Sequence, residues 1–173
     1  VVIDDSIVRG TTLEKSILTL LSSLDAKKVI FVSSSPQIRY PDCYGIDMSK
    51  MHQFVAFRGL IRLLKINKAD KKIKEIYSKC KKSLLSKKAN NHVKELYNMF
   101  SYDELSKSIS EIVKPDNFNS ELEIIYQKID DLNKACPKNL GDWYFTGNYP
   151  THGGNKVANR AFMNYCDGFN GRA

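Results

Sequence analysis

Two adjacent carboxylates and a hydroxyl-rich turn lie close together near the start of the sequence. Asp4 and Asp5 follow the apolar run 1–3, and the loop 6–12 then leads into a helical pattern. Carboxylates accept hydrogen bonds from sugar hydroxyls and bind hard cations such as Mg²⁺. Free backbone amides at a helix N-terminus attract a phosphate. One ligand that combines phosphate, sugar and bound magnesium would satisfy both groups, although Asp and Thr at this spacing also occur as simple helix caps.

The candidate ligand-binding residues form one continuous segment. Gly10 is expected to let the backbone approach the ligand closely, and the hydroxyls of the segment to donate hydrogen bonds to phosphate oxygens. Asp4 and Asp5 are also the candidate magnesium ligands, together with oxygens of the bound ligand. The complete set is Asp4, Asp5, Ser6, Ile7, Val8, Arg9, Gly10, Thr11 and Thr12.

A strand, helix, strand unit is predicted to position this loop. Residues 1–5 are typical of a short buried strand, and Thr11 with Glu14 has the spacing of a helix capping box. Residues 29–33 form a second β-branched run. Because a helical crossover joins parallel strands, we predict an α/β fold with a parallel sheet. The predicted packed face of the helix consists of Leu13, Ile17, Leu20, Leu21 and Leu24.

The rest of the chain is predicted to be mostly helical. Amphipathic stripes cover residues 73–84 and 93–100, and Ser101 with Glu104 begins another helix with a capping box. Ser120 with Glu123 predicts a further helix with apolar positions at Leu122, Ile125, Ile129 and Leu132. We interpret residues 1–66 as the sheet-forming part that contains the loop, 67–140 as a helical region, and 141–173 as a tail that packs on the domain and has one short helix around 157–165.

Composition limits the class of protein. A chain of 173 residues allows about one domain, and no apolar run is long enough to span a bilayer, so we expect a cytoplasmic protein with no membrane partner. The net charge of +8 would suit nucleic acid, but the lysines are spaced among apolar and acidic residues as on solvated helix faces, and we expect no nucleic-acid partner. The four cysteines form no Cys-x-x-Cys pair, so neither zinc nor a disulfide framework is indicated.

The segment 1–12 resembles the signature with which type I phosphoribosyltransferases bind 5-phosphoribosyl-1-pyrophosphate (PRPP). In particular, the loop sequence 6–12 is similar to that of the amidophosphoribosyltransferases. Two further segments are similar to the same family: 36–41 with the Tyr-Gly-Ile-Asp-Met sequence at 44–48, and Phe-Thr-Gly-Asn-Tyr-Pro-Thr at 145–151. The resemblance implies part of a type I phosphoribosyltransferase domain, a Rossmann-like parallel sheet, followed by a mostly helical C-terminal region.

The resemblance also implies a reaction. In this family, ammonia released from glutamine attacks C1 of PRPP and expels pyrophosphate to give 5-phosphoribosylamine, the first committed step of purine synthesis. Asp4 and Asp5 would hold the ribose hydroxyls and help to place the magnesium complex, and residues 6–12 would hold the 5-phosphate. The chain starts inside a predicted strand, so we expect further sequence upstream. The resemblance implies that this upstream part contains a glutaminase domain and the earlier elements of the PRPP site, and that the complete enzyme is a homo-oligomer. We therefore expect no activity of this piece alone.

Some members of the family hold an iron–sulfur cluster, and here the sequence departs from their pattern. Cys43 lies one position from the expected ligand, while Gly141 and Tyr144 occupy the two other ligand positions. We therefore expect no cluster. Two other functions remain open: a phosphoribosyltransferase that salvages a nucleobase, and a PRPP-sensing regulatory module that binds RNA through the lysine-rich helices.

Overall fold

A three-stranded parallel sheet organises the fold in the computed structural model, which describes residues 1–24, 26–43, 48–138 and 141–173. Its strands are β1 (Val2–Asp4), β2 (Lys28–Ser33) and β3 (Glu121–Tyr126), in the order β1-β2-β3, and both neighbouring pairs are parallel. The predicted α/β class with a parallel sheet is confirmed, as is the mostly helical character of the rest of the chain.

The third strand corrects the helix that was predicted to begin at Ser120. Residues 121–126 pair with β2 over their whole length, and only the following segment α6 (Ile129–Ala135) is helical. The Ser120 hydroxyl donates to the carbonyl of Ala26 instead of capping a helix. Spacing alone was ambiguous here, because a short apolar run fits either structure and only the available neighbouring strand selects one. The region 67–140 is therefore interrupted by a strand of the sheet.

The helix after the loop also differs from its prediction. It contains a π-helical turn, Leu13–Ile17, before α1 (Leu18–Ser22), and no side-chain hydrogen bond caps it at Thr12. The predicted capping box of Thr11 with Glu14 is not formed, because the Glu14 amide donates to the Gly10 carbonyl at 2.9 Å. A π-turn inserts an extra residue into the helical repeat and rotates every later position around the helix axis. Consequently Leu18 is fully buried, whereas Leu20 is 70% exposed and is not part of a packed face. Leu24, also predicted to be packed, is 66% exposed.

Four helices follow the first two strands and supply many of the core residues. After a short 3₁₀ turn, Met51–Gln53, they are α2 (Val55–Ile66), α3 (Asp70–Leu85), α4 (Lys94–Tyr97) and α5 (Tyr102–Val113). Helix α2 packs on α5, and α5 packs on β3. The predicted capping box at α5 is confirmed, since the Ser101 side chain accepts from the Glu104 amide and the Glu104 carboxylate accepts from the Ser101 amide.

The tail forms α7 (Trp143–Thr146) and α8 (His152–Cys166), so its second helix is longer than predicted. The Thr151 side chain caps α8 by accepting from the Gly154 amide at 3.2 Å. Helix α8 packs on α3, and the buried Phe162 contacts the ring of Phe57 edge-to-face with centroids 6.4 Å apart. One hydrophobic core thus joins the sheet, the helices and the tail. Within the described residues, no helix is both long and apolar enough to cross a membrane.

Candidate functional site

All nine predicted site residues line a single cavity of about 350 Å³ at the carboxyl end of β1. Leu13 and Met48 complete its lining, and sequence reasoning had assigned neither of them to the site. Met48 follows the Tyr-Gly-Ile-Asp motif at 44–47, which lies outside the described residues. The strand therefore delivers its acidic end and the loop to one place, as expected for an open α/β sheet, where ligands bind beyond the carboxyl ends of the strands.

The two carboxylates are held by local hydrogen bonds. Asp4 Oδ1 accepts from the Asp5 amide at 2.9 Å, and Asp5 Oδ1 accepts from the Ser6 amide at 2.7 Å. The Asp4 carbonyl is fixed by the amide and hydroxyl of Ser34, at 2.9 and 3.1 Å. In the described part of the chain, neither Oδ2 atom has a hydrogen-bond partner. Both can therefore accept hydrogen bonds from a ligand.

The turn at Gly10 lies directly above the core. Gly10 adopts φ +74°, and a Cβ atom there would lie 3.1 Å from methyl groups of both Val55 and Val113. The backbone at Gly10 therefore lies close to side chains of α2 and α5, beneath the loop. The turn leaves Thr11 and Thr12 exposed, and their backbone amides have no acceptor among the described residues. Free amides and hydroxyls of this kind are donors that can hydrogen-bond an anion.

Helix α2 holds the loop from below. The Val55 amide donates to the Val8 carbonyl at 2.8 Å, and Arg58 Nη1 donates to the Arg9 carbonyl at 3.4 Å. Ile7 is only 5% exposed and belongs to the hydrophobic core. The loop is thus attached to the core by its apolar residue and to α2 by its carbonyls. No local sequence signal predicts these contacts, because the residues lie about fifty positions apart.

The second family-like segment, 36–41, anchors the loop after β2 to α5. Gln37 is 1% exposed, and its Nε2 donates to the Tyr102 carbonyl at 3.0 Å and to Ser106 Oγ at 2.8 Å. Its Oε1 accepts from the guanidinium of Arg39 at 2.7 and 3.1 Å. The same guanidinium lies over the rings of Tyr97 and Tyr102, 5.2 and 5.1 Å from their centroids. Arg39 therefore contacts residues of its own chain.

The third family-like segment, 145–151, packs directly on the second. Tyr149 donates its hydroxyl to the Pro41 carbonyl at 2.5 Å, and Asn91 Nδ2 donates to the Gly147 carbonyl at 3.1 Å. Gly147 adopts φ +72°, and a Cβ atom there would lie 2.7 Å from the ring of Tyr40. Two segments about one hundred positions apart are therefore complementary in shape, and the tail is fixed to the loop that follows β2.

The described residues contain no group of three or more His, Cys, Asp or Glu side chains that could hold a metal ion. Asp4 and Asp5 could thus supply at most two ligands at this cavity. Mg²⁺ commonly takes one or two carboxylates from a protein and its other oxygens from phosphates and water. The donor set therefore fits a magnesium ion that arrives with a phosphorylated ligand.

Part of the chain is similar in sequence to known proteins. The chain is 44% identical over 72 residues to an amidophosphoribosyltransferase of Pasteurella multocida, and the alignment covers 41% of this chain and 14% of the relative. It is 51% identical over 55 residues to the amidophosphoribosyltransferase of Haemophilus influenzae, an alignment that covers 32% of this chain and 11% of the relative. It is 37% identical over 75 residues to the enzyme of the same name in Saccharomyces cerevisiae, and this alignment covers 43% of this chain and 13% of the relative. No protein-family model and no solved structure matches.

The aligned stretches thus span only a small part of each relative, between 11 and 14% of its length in these three cases. Bacterial and fungal relatives nevertheless bear the same name. These matches confirm the resemblance given by the sequence motifs: over the aligned stretches, the chain is similar in sequence to part of an amidophosphoribosyltransferase.

Proposed function

We propose that this chain is the C-terminal part of an amidophosphoribosyltransferase, and that residues 4–12 bind the ribosyl phosphate of PRPP in the complete enzyme. The observation that carries this proposal is the convergence of all nine residues on one cavity. Its dimensions suit a small ligand, and its two ends differ in chemistry. Carboxylate oxygens lie at the strand end, and free amides with hydroxyl groups lie at the helix end.

Each end is assigned one part of the ligand. The free oxygens of Asp4 and Asp5 accept hydrogen bonds from the ribose 2- and 3-hydroxyls, and the amides and hydroxyls of Thr11 and Thr12 hold the 5-phosphate. The carboxylates would repel a phosphate, which fixes the direction in which the ligand lies. The nucleophile, ammonia derived from glutamine, then attacks C1 of the ribose, and pyrophosphate leaves.

The chemistry places two demands on the site. Displacement at an anomeric carbon develops positive charge on the sugar, and the two carboxylates stabilise that charge. A magnesium ion, when bound with PRPP, stabilises the negative charge on the leaving pyrophosphate. The chain's residues position the ribose and shape its electrostatic environment, so no general base is required from this segment. The remaining parts of the proposal are an upstream glutaminase domain, a cytoplasmic location, and the absence of an iron–sulfur cluster.

Titration with ribose 5-phosphate tests the site with the part of the ligand that residues 4–12 would contact. Amide signals of the 173-residue chain, followed by nuclear magnetic resonance, are expected to shift at residues 10–12 and to saturate. Asp5→Asn is expected to weaken binding by about tenfold, because a charge-assisted hydrogen bond is lost. Asp70→Asn, an exposed acid at the start of α3, is the matched control and should leave binding unchanged. Saturable shifts confined to another region, or none at residues 10–12, would contradict the assignment.

A second measurement tests whether this chain acts alone. With PRPP, Mg²⁺ and ammonia, we expect no formation of phosphoribosylamine by the purified chain, because the rest of the PRPP site is proposed to lie upstream. Product above the rate without protein, lost in Asp5→Asn, would show that the chain is active by itself.

A further inference from the structure

The positive charge of this chain is concentrated in one segment. Residues 65–94 contain eleven lysines, no arginine and two acidic residues, so the segment has a net charge of +9, whereas the whole chain has +8. The other residues together are therefore close to neutral, with a net charge of −1. The segment extends from the last turn of α2 to the first residue of α4 and includes the whole of α3. Any electrostatic attraction of this chain for an anionic partner is thus centred on α3 and the residues around it.

Two of these lysines are neutralised by an ion-pair network between α3 and α4. Lys79 Nζ lies 2.8 Å from Glu75 Oε1 and 2.7 Å from Glu95 Oε2. Lys72 Nζ lies 3.0 and 3.5 Å from the same two oxygens. Both carboxylates are therefore occupied on one flank of α3.

Six other lysines of the segment form a basic face without a counter-charge. All six are exposed, and none has an ion-pair partner within the described residues. Those at 71, 74, 81 and 82 lie on α3 at spacings that share one side of the helix, over a length of about 17 Å. Leu85, which is 90% exposed, ends this side of the helix. The lysine face, as we call it, consists of Lys71, Lys74, Lys81, Lys82, Lys87 and Lys88 together with Leu85.

A hollow of about 310 Å³ lies at the end of α3 and is lined by two of these unpaired lysines, Lys82 and Lys88. Between them the chain turns at Ser86. The Ser86 Oγ accepts from the Lys88 amide and donates to the Lys88 carbonyl, each at 3.1 Å, and so fixes the turn. Two positive charges beside one hollow attract a negatively charged group such as a carboxylate.

The composition of the lysine face decides between classes of partner. Unpaired ammonium groups are costly to bury, and lysine is depleted from the buried centres of protein interfaces, which disfavours permanent cover by the rest of the same protein. Single-stranded nucleic acid stacks its bases on aromatic side chains, and the lysine face contains none. Tyr77, the aromatic residue of α3, is half-buried, and its hydroxyl donates to the Asp167 carboxylate at 2.9 and 3.1 Å. Leu85 would also meet a phosphate backbone with an apolar group.

An acidic polypeptide satisfies the whole face. Its carboxylates can pair with the unpaired lysines, and its apolar side chains can cover Leu85. Exposed ion pairs are individually weak and act together, which suits a reversible contact. We propose that the lysine face binds an acidic segment of another protein, with one carboxylate in the hollow beside Lys82 and Lys88.

Binding of a synthetic acidic peptide tests this proposal. A fluorescently labelled peptide of about ten glutamates spans about 33 Å when extended, which is enough to cover the lysine face. At an ionic strength of about 0.15 M, its fluorescence anisotropy should rise and saturate on titration with the 173-residue chain, and added salt should weaken the binding. Lys82→Glu/Lys88→Glu should raise the dissociation constant by at least about tenfold, because repulsion replaces attraction at the hollow. Lys82→Arg/Lys88→Arg keeps both charges and should bind as the wild type does.

A matched control separates the lysine face from the effect of net charge. Lys107→Glu/Lys138→Glu makes the same change of net charge at two exposed positions outside the face and should leave the dissociation constant unchanged. Thermal unfolding of each variant verifies that it is folded. A peptide that does not bind saturably, or an equal loss of affinity in this control, would overturn the proposal.

Two further measurements test the other partners. A single-stranded oligouridylate of about ten nucleotides, and vesicles of phosphatidylcholine with phosphatidylserine, should bind more weakly than the peptide at the same ionic strength. Tighter binding of either, lost in Lys82→Glu/Lys88→Glu, would overturn the proposal by assigning the face to nucleic acid or to a membrane. The complete protein should bind the peptide as tightly as this chain does. Loss of binding there would show that the rest of the protein covers the face, which would also overturn the proposal.

Discussion

Replacement of Gly10 by alanine measures how the loop is held above the core. An L-residue in the left-handed region costs about 1–2 kcal/mol, of which about 0.4–1 kcal/mol is offset by the reduced freedom of the unfolded chain. The new Cβ would lie 3.1 Å from methyl groups of both Val55 and Val113, and crowding in a packed core costs about 1–3 kcal/mol. We therefore expect Gly10→Ala to lower the free energy of unfolding by about 2–3 kcal/mol.

Urea denaturation supplies the assay, and two other glycines separate strain from crowding. Gly168 has φ +68°, and no atom lies within 4 Å of the position that a Cβ would take there, so Gly168→Ala should lose only about 0.5–1 kcal/mol. Gly153 lies in α8 with its nearest contact at 3.6 Å, and Gly153→Ala should be neutral or stabilising by up to about 1 kcal/mol. A loss in Gly10→Ala no greater than that in Gly168→Ala, with an unchanged denaturant slope, would refute the role of packing beneath the loop.

Three further predictions concern the helical region. Asn159 is fully buried and joins three segments by hydrogen bonds. Asn159→Ala should lower the free energy of unfolding, measured by urea denaturation, by about 3 kcal/mol, because polar backbone groups lose their partner. A decrease below about 1 kcal/mol would contradict this. The hydrogen bond from Lys79 lowers the pKa of Glu95, so this carboxylate stabilises the fold above its ordinary pKa and the contribution disappears as the pH falls through the lowered value. Glu95→Gln should therefore lower the thermal midpoint at neutral pH and match the wild type in acid; an equal deficit at both would exclude the ion pair as the cause. Cys136 is exposed, whereas burial raises the pKa of the Cys80 thiol to about 12. Iodoacetamide should therefore modify Cys136 in the native chain and Cys80 only after denaturation, because the thiolate is the reactive form. Mass spectrometry of the peptides would identify the modified cysteines.

Local sequence was sufficient to predict the parts that depend on neighbouring residues. The acidic end of β1, the loop 6–12 and the capping box of α5 each follow from side chains within a few positions of one another. The strand, helix, strand order also followed, since apolar period and turn residues are local features. These features placed the nine candidate residues on one segment, and continuity of the chain ensured that they would lie close together.

Long-range packing decided what local patterns left ambiguous. Residues 121–126 fit a helical as well as an extended pattern, and pairing with β2 made them a strand. Leu13, Ile17 and Leu21 of the predicted helix face do pack on the core, but Leu20 does not, because a π-turn rotated the helix. Leu24 lies beyond the end of α1 and is exposed. Gly10 is required by side chains of α2 and α5, which no nearby residue reveals. Periodicity reports only which residues share a face, whereas the partner of that face comes from segments far away in the chain, and its identity is fixed when the whole core packs.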